Sequence, residues 1–264
     1  MNVDILLSTS GDRIKNISTL IKSIDFSLCN LIICHQEECN ISPETRFFIE
    51  EQLKTHEGIT YFSMKDKGVT KSRNFLVNKA ESDYVIFCDD DIYYIDNSIK
   101  QVVESMNLNN IDVATGIVVT DGEKKFKKYS EHNHKHNKQS ILRVGTVEIV
   151  CRRLSILKTD LFPEDMGAGA TYPLCDEPVF LNDCINKSLK VMFLNIPLCY
   201  HPPISSGSNQ NERYTIARGV CFRRIFGRKA LFLLVLFSLK MKLKFRQLKL
   251  FNYMKLLVRG YNEG

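Results

Sequence analysis

No two of the chain's nine cysteines are spaced as CxxC. The number is odd, and no second close pair joins Cys34 and Cys39, so neither a zinc ribbon nor a disulfide framework is expected. Cys88, Cys184 and Cys199 lie in apolar stretches, where cysteine acts as a small hydrophobe. Reduced thiols in a cytoplasmic protein are the expectation. No apolar run reaches the ~20 residues that a spanning helix needs; the longest, ALFLLVLFSL, occupies only 230–239. The opening MNVDILLSTSGDR lacks the basic start and long apolar core of a signal peptide. No repeat of solenoid period is present. Acids are nearly missing from the C-terminal part: residues 213–264 hold 13 Lys+Arg and a single acid, Glu263, although the whole chain carries only +6. The body is therefore mildly acidic and the tail strongly basic, which suits a polyanionic partner for the tail.

What is present is the composition of a folded protein, 44% apolar and 25% charged over 264 residues, enough for one large α/β domain or two small ones. Strand-like and helix-like segments alternate through the first half. VDILLS (3–8), NLIICH (30–35), ITYF (59–62) and YVIFC (84–88) are short, almost wholly apolar runs. Between them, IKNISTLIKSI has apolar residues at helical spacing. SPETRFFIEEQLKT starts a helix with Ser42 as N-cap and Pro43 at the first position, and GVTKSRNFLVNKA is a glycine turn leading into a helix. Continuous apolar strands alternating with helices predict a mostly parallel sheet covered on both faces, with ligands at the carboxyl ends of the strands. Further strands are expected at 113–119, 144–153 and 191–203, and a helix from about Glu177 to Lys187. A polar break, PPISSGSNQNE, separates a body (1–212) from the basic extension (213–264).

The stretch YVIFCDDDIYY sets Asp89, Asp90 and Asp91 at the end of one such strand. On an extended backbone residues i and i+2 point to the same side, so Asp89 and Asp91 face one ligand and Asp90 faces away. Two carboxylates there suit a divalent cation that completes its shell with water and phosphate oxygens. The alternative is a solvated acidic turn, or Asp90 capping the next helix. Arg73 is placed for a charge-assisted contact to an anionic ligand, with Lys71 as a weaker candidate; a solvated helix face is the other reading. Ser8 and Thr9 close the first strand, at a carboxyl end where a ligand is expected. His132, His134 and His136 alternate in EHNHKHNK, but the surrounding lysines and asparagines read as a hydrated loop rather than a metal site.

The block GVTKSRNFLVNKAESDYVIFCDDDIYY resembles the centre of the family 2 glycosyltransferases of the GT-A fold, in which a Gly-x-(Ser/Ala)-x-(Ser/Ala)-Arg-Asn helix start precedes a strand ending in Asp-x-Asp. FPEDMGAGATYPLCDEPVFLNDCINKSLKVMFLNIPLCYHPPISS is similar to the same family's acceptor-side block, and YTIARGVCFRRIFG to its later Arg-Gly segment. The resemblance implies a GT-A (Rossmann-like) α/β fold with a helical basic extension. It also implies an inverting, metal-dependent transfer of a sugar from a nucleotide-sugar to an acceptor hydroxyl. It places Ser8 and Thr9 at the nucleoside base, Asp89, Asp90, Arg73 and Lys71 at the donor, and Asp91 with Asp89 and His201 at Mn²⁺ or Mg²⁺. Glu177 becomes the general base, with Asp176 as acceptor contact or alternative base. Gly167 and Gly169 would let the preceding loop act as a lid. Two turns depart from the pattern: CHQEE stands where the family has an aspartate-containing turn, and STSGDR replaces a proline-containing strand end.

The tail from Arg223 interleaves Lys and Arg with dense apolar residues, as in a basic helix lying in a membrane interface. LKMKLKFR (239–246) alternates with strand period, so an interaction strand, or helices folded back on the body, is also open. The expected partners are a nucleotide-sugar, a sugar or lipid-linked sugar acceptor, and an anionic membrane surface, with no nucleic acid. The location expected is the cytoplasm, peripheral on the inner face of the cell membrane. The competing classes are a non-catalytic binding protein of the same fold and a sugar nucleotidyltransferase. The second would open with a glycine-rich basic loop, which is not seen near STSGDR.

Overall fold

The computed structural model describes residues 2–37, 41–120, 122, 124–203, 211–245, 247 and 249–264. Cys39 and Arg246, and most of the polar break, lie outside the described residues. Four parallel strands open the fold: β1 (Val3–Ser10), β2 (Cys29–Gln36), β3 (Ile59–Met64) and β4 (Tyr84–Cys88). After these come β5 (Tyr93–Tyr94), β6 (Val113–Thr120), β7 (Lys124–Lys125), β8 (His134–Lys135), β9 (Ile149–Arg152) and β10 (Val191–Tyr200). The sheet order is β3-β2-β1-β4-β9-β6-β10-β5, with β9 antiparallel between β4 and β6 and with β10 parallel to β6. It is the mostly parallel α/β sheet that the apolar runs predict. Its central strands are buried on both faces, one face in a cluster around Ile5, Leu7, Ile33 and Ile86 and the other around Leu6, Phe87, Phe162 and Phe180.

The helices are α1 (Ser18–Ser23), α2 (Pro43–Phe48), α3 (Val69–Lys79), α4 (Ser98–Leu108), α5 (Arg153–Ile156), α6 (Asp176–Asn186), α7 (Glu212–Phe226), α8 (Ala230–Lys244) and α9 (Leu250–Glu263). Ser42 caps α2 as expected, its hydroxyl accepting the Thr45 N–H at 3.3 Å. Two expectations change. The segment after β1 winds first as a 3-10 turn (Gly11–Ile17) and only then as α1. The strand expected over 144–153 is shortened to β9, because Glu148 folds back to accept the Gly145 N–H at 3.1 Å and so turns residues 146–148 out of extended geometry.

The tail is helical, and the strand period of LKMKLKFR is overridden. Ala230, Leu234, Ser238 and Met241 recur at helical spacing and face Tyr253, Met254 and Leu257 of α9. Packing on a neighbour selects the helix where local alternation would not. Helices α7 and α9 meet backbone to backbone: a Cβ on Gly260 would lie 2.0 Å from the Ile216 carbonyl oxygen, and one on Gly219 would lie 2.2 Å from that of Leu257. In turn α7 packs on the body through Val220, Cys221 and Ile225, which join Met166 in one cluster with Cys175 and Val179 against it.

Candidate active site

A cavity of about 820 Å³ opens at the carboxyl ends of β1 and β4. It gathers Ser8, Thr9, Arg73, Asp89, Asp90 and Asp91 from the first half of the chain with Asp176, Glu177 and His201 from the second. Lys71 does not line it; Lys67 and Gly68, just before α3, do.

On the side of β1, Asp90 is buried rather than turned to solvent. Its carboxylate accepts the Thr9 hydroxyl at 2.6 Å and the guanidinium of Arg13, from the 3-10 turn that follows the strand. Among the described residues the buried Ser8 hydroxyl has no hydrogen-bond partner, which leaves it available to a ligand. The unusual second-strand turn is built around His35. Its Nε2 lies 2.9 Å from the Gly11 carbonyl, which can only accept, so Nε2 carries the proton and Nδ1 accepts the Tyr61 hydroxyl at 2.8 Å. His35 thus holds the Gly11 turn, and Gln36 donates to the Gly68 carbonyl at 2.6 Å.

At the centre Arg73 is buried, and its guanidinium is taken up by protein carboxylates. Nη1 donates to Asp176 Oδ2 at 2.6 Å, and Nη2 lies 3.5 Å from Asp89 Oδ1. Burial pushes the Asp89 carboxyl up, and Arg73 opposes this. Burial, and then the adjacent Glu177, push Asp176 up to about 7, against the pull of Arg73.

His201 Nε2 lies 3.7 Å from Asp91 Oδ1. Its Nδ1 donates to the Pro202 carbonyl at 2.6 Å, a backbone anchor that leaves Nε2 as the acceptor turned towards the carboxylates. Among the described residues no three His, Cys, Asp or Glu side chains are grouped closely enough to hold a metal by themselves. Imidazole and carboxylate together do fit Mn²⁺ or Mg²⁺ in a shell completed by phosphate oxygens and water. The His132–His136 set is not such a site. His136 is buried, with Nε2 at 2.8 Å from Thr115 Oγ1 and Nδ1 at 2.9 Å from Ser140 Oγ.

On the opposite wall Asp176 and Glu177 open α6 after Cys175, whose φ is 72°. Glu177 is half-buried and accepts the Thr146 hydroxyl at 2.5 Å. The loop carrying Thr146 is pinned by Glu148, whose carboxylate accepts Lys127 as well as the Gly145 N–H. The glycine-rich loop expected as a lid is held on three sides. Arg224 forks onto Asp165 at 2.8 and 2.6 Å, Tyr172 reaches Glu263 at 3.3 Å, and the Thr70 hydroxyl donates to the Met166 carbonyl at 2.9 Å. Gly167, at φ 94°, has no room for a Cβ, which would lie 2.9 Å from Val69 Cγ1 and 3.1 Å from Asp176 Cγ.

Several residues of the cavity escape a reading of the sequence. Arg13, Lys127, Thr146 and Glu148 line it from places that carry no motif, and Arg218 lines it from the Arg-Gly segment, to which no role was attached. Only Arg13 leaves a trace, as a basic residue one turn beyond a strand end that faces a carboxylate cluster.

The profile described as Glycosyl transferase family 2 matches residues 39–162. Among solved structures, TarS 1-349 of S. aureus in complex with UDP is similar at a TM-score of 0.66 and 15% identity, over 86% of this chain and 66% of that one. The same protein with UDP-GlcNAc gives 0.67 and 14%, over 86% and 67%. The structure titled simply TarS gives 0.66 and 11%, covering 97% of this chain and 55% of that one. The chain therefore spans about two thirds of TarS 1-349 and little more than half of the longer structure. At such identities the likeness is one of fold. No curated protein sequence is significantly similar to this one.

Proposed function

We propose that the chain is a family 2 glycosyltransferase, as the profile over residues 39–162 and the GT-A-like fold support, and that it moves a sugar, with inversion, from a nucleoside-diphosphate donor to an acceptor hydroxyl. The observation that carries this reading is the meeting of Asp89, Asp91 and His201 with Glu177 across one cavity. UDP and UDP-GlcNAc in the similar structures support a nucleotide-sugar donor. Ser8, Thr9, Arg13 and Asp90 form the wall that would take its nucleoside. Asp91 and His201, with Asp89 beside them, would hold Mn²⁺ or Mg²⁺. When bound, the cation neutralises charge on the departing diphosphate.

The choice of base follows from the partners of the two acids. Asp176 is buried and its carboxylate is engaged by Arg73 at the start of α6, which makes it the weaker candidate. Glu177 is half-buried, lines the cavity and is oriented by Thr146. It takes the proton of the acceptor hydroxyl. The acceptor oxygen then bonds to the anomeric carbon on the face opposite the diphosphate, and the carbon–oxygen bond to the diphosphate breaks. One displacement inverts the configuration. Arg73 lines the same cavity, with Nη1 tied to Asp176 and Nη2 near Asp89, and would add positive charge beside the donor.

The acceptor class that suits a basic tail is a sugar or lipid-linked sugar at an anionic membrane, on the cytoplasmic face. A thermal-shift series of nucleoside diphosphates, with and without Mn²⁺, tests the site. Stabilisation by UDP that needs the metal and is removed by Asp91→Ala is expected. A protein that no nucleotide stabilises overturns the proposal.

A further inference from the structure

Helix α8 is apolar around its whole circumference, yet only one side of it is covered. Ala230, Leu234 and Ser238 are buried against α7 and α9. On the other side Leu231, Phe232, Val235, Leu236, Leu239 and Leu243 stand exposed, Phe232 at 69% and Leu243 at 83%. With 3.6 residues per turn these six form one continuous stripe roughly 140° wide. Lys240, which is exposed, falls just beyond one margin of the stripe, where its long stem can lie along apolar surface while the ammonium reaches water. Phe251 of α9 adds a further ring, exposed at 81%. A helix that is apolar all round is normally buried, and a bare stripe of this kind marks a contact surface.

We infer that this outer face of α8 docks on an anionic lipid surface, and that it does so beside the acceptor wall of the cavity. Charge selects the occupant. No acid occurs between Glu212 and Glu263, while Arg228, Lys229, Lys240, Lys242, Lys249 and Lys255 fall within that stretch. A second copy of the chain would bring the same positive face against itself. An anionic bilayer supplies both the apolar layer and the opposite charge. The helix lies in the interface and does not cross it. Its 15 residues span about 22 Å at 1.5 Å each, less than the ~30 Å of a hydrocarbon core. Among the described residues no helix is long and apolar enough to cross a membrane.

The position of α8 gives the docking a consequence for the reaction. Leu142 lines the cavity next to Arg143 and Gly145, and it also packs on the cluster of Phe222, Ala230, Leu234, Tyr253 and Leu257. Lys138, from the same loop, donates to the Ile225 carbonyl of α7 at 3.0 Å. The acceptor wall is thus separated from the lipid by about the width of one helix, ~10 Å. Resting on the transferase reading, this makes the acceptor a glycolipid or lipid-linked saccharide that reaches Glu177 from the bilayer on which the enzyme sits.

Co-sedimentation with phosphatidylcholine vesicles, with and without phosphatidylglycerol, tests the surface. The full chain is expected to pellet with the anionic vesicles, less so at high salt. Phe232→Glu with Leu236→Glu should lower the partition at least ~10-fold, since two large apolar contacts are lost. Phe232→Ser, milder for folding, should give a smaller drop in the same direction. The UDP-dependent thermal shift should survive in both variants. Hydrogen exchange on vesicles should show new protection over α8 and residues 138–145 and none over α2. Equal binding by the double variant, protection elsewhere, or a dimer without lipid that Phe232→Glu disperses would overturn the docking. These outcomes are independent of whether UDP binds, so failure of the surface and failure of the transferase reading are told apart.

Discussion

The guanidinium of Arg73 joins the two acidic motifs of the cavity: it donates to Asp176 at 2.6 Å and lies 3.5 Å from Asp89. Asp176 and Arg73 are both almost wholly buried, so each charge depends on the other. Removing the cation leaves two carboxylates facing each other in a poorly solvated place. Arg73→Met should therefore cost on the order of 3–5 kcal/mol, read by denaturant unfolding. Arg73→Lys keeps the charge but not the two-pronged geometry, and should recover only part of the loss. Unchanged stability in Arg73→Met would show that the pair does not hold the site together.

Glu177 and Thr146 separate chemistry from binding. Glu177→Gln should lower turnover roughly 10²–10⁴-fold, the range for loss of a general base, while the UDP-dependent thermal shift stays as in the parent. Thr146→Val removes the hydroxyl that donates to Glu177 at 2.5 Å. It should lower kcat roughly 10–100-fold through misplacement alone, with KM for the donor little changed. Steady-state kinetics with a labelled donor distinguishes the two, and a change confined to KM in either variant would refute the assignment.

The contact of α7 with α9 leaves no space for side chains at its crossing. In Gly260→Val the new Cβ would lie 2.0 Å from a backbone oxygen that cannot swing aside. Forced overpacking of this kind costs about 1–3 kcal/mol, and here it should part α9 from α7 before the sheet unfolds. Limited proteolysis should release the C-terminal residues in the variant and spare them in the parent.

His136 makes the fold sensitive to mild acid. Burial, then His134 and Lys127, lower it to about 4, against an ordinary 6.5. The unfolded chain therefore binds the proton first, and stability is lost as pH falls from about 6.5 towards 4. The full window corresponds to about 3 kcal/mol. Unfolding free energies measured across that range should fall more steeply in the parent than in His136→Gln, and parallel curves would remove His136 as the cause.

Much of the architecture was legible because its signals are local. Apolar runs such as YVIFC are buried on both sides, and they showed as continuous strands without any partner being known. Ser42 and Pro43 announced α2 by capping chemistry that acts within one turn. The acidic stretch after β4 was visible for the same reason, and Asp89, Asp91, Glu177 and His201 do share one cavity. Arg73 was placed on the right helix and does line the cavity, but its pairing with Asp176 was not visible, because Asp176 lies far along the chain. Lys71 was set in a cavity it does not line, since a helix face cannot be resolved from periodicity alone when both sides carry polar groups. Asp90 was expected to turn away and instead closes on Thr9 and Arg13.

What the sequence by itself determined is the parallel α/β order, the place of the carboxylates at a strand end and the basic charge of the tail. Each depends on residues within a turn or a strand of one another. Only the tertiary structure decided which charges neutralise which: Arg73 and Asp176, 103 residues apart, form a buried pair, while the adjacent Glu177 meets Thr146 instead. It also decided that an alternating stretch would be a helix, because Tyr253 and Leu257 cover one face of α8 and leave the other bare. Coulomb energy and packing depend on distances between remote segments, and those distances exist only once the chain has folded.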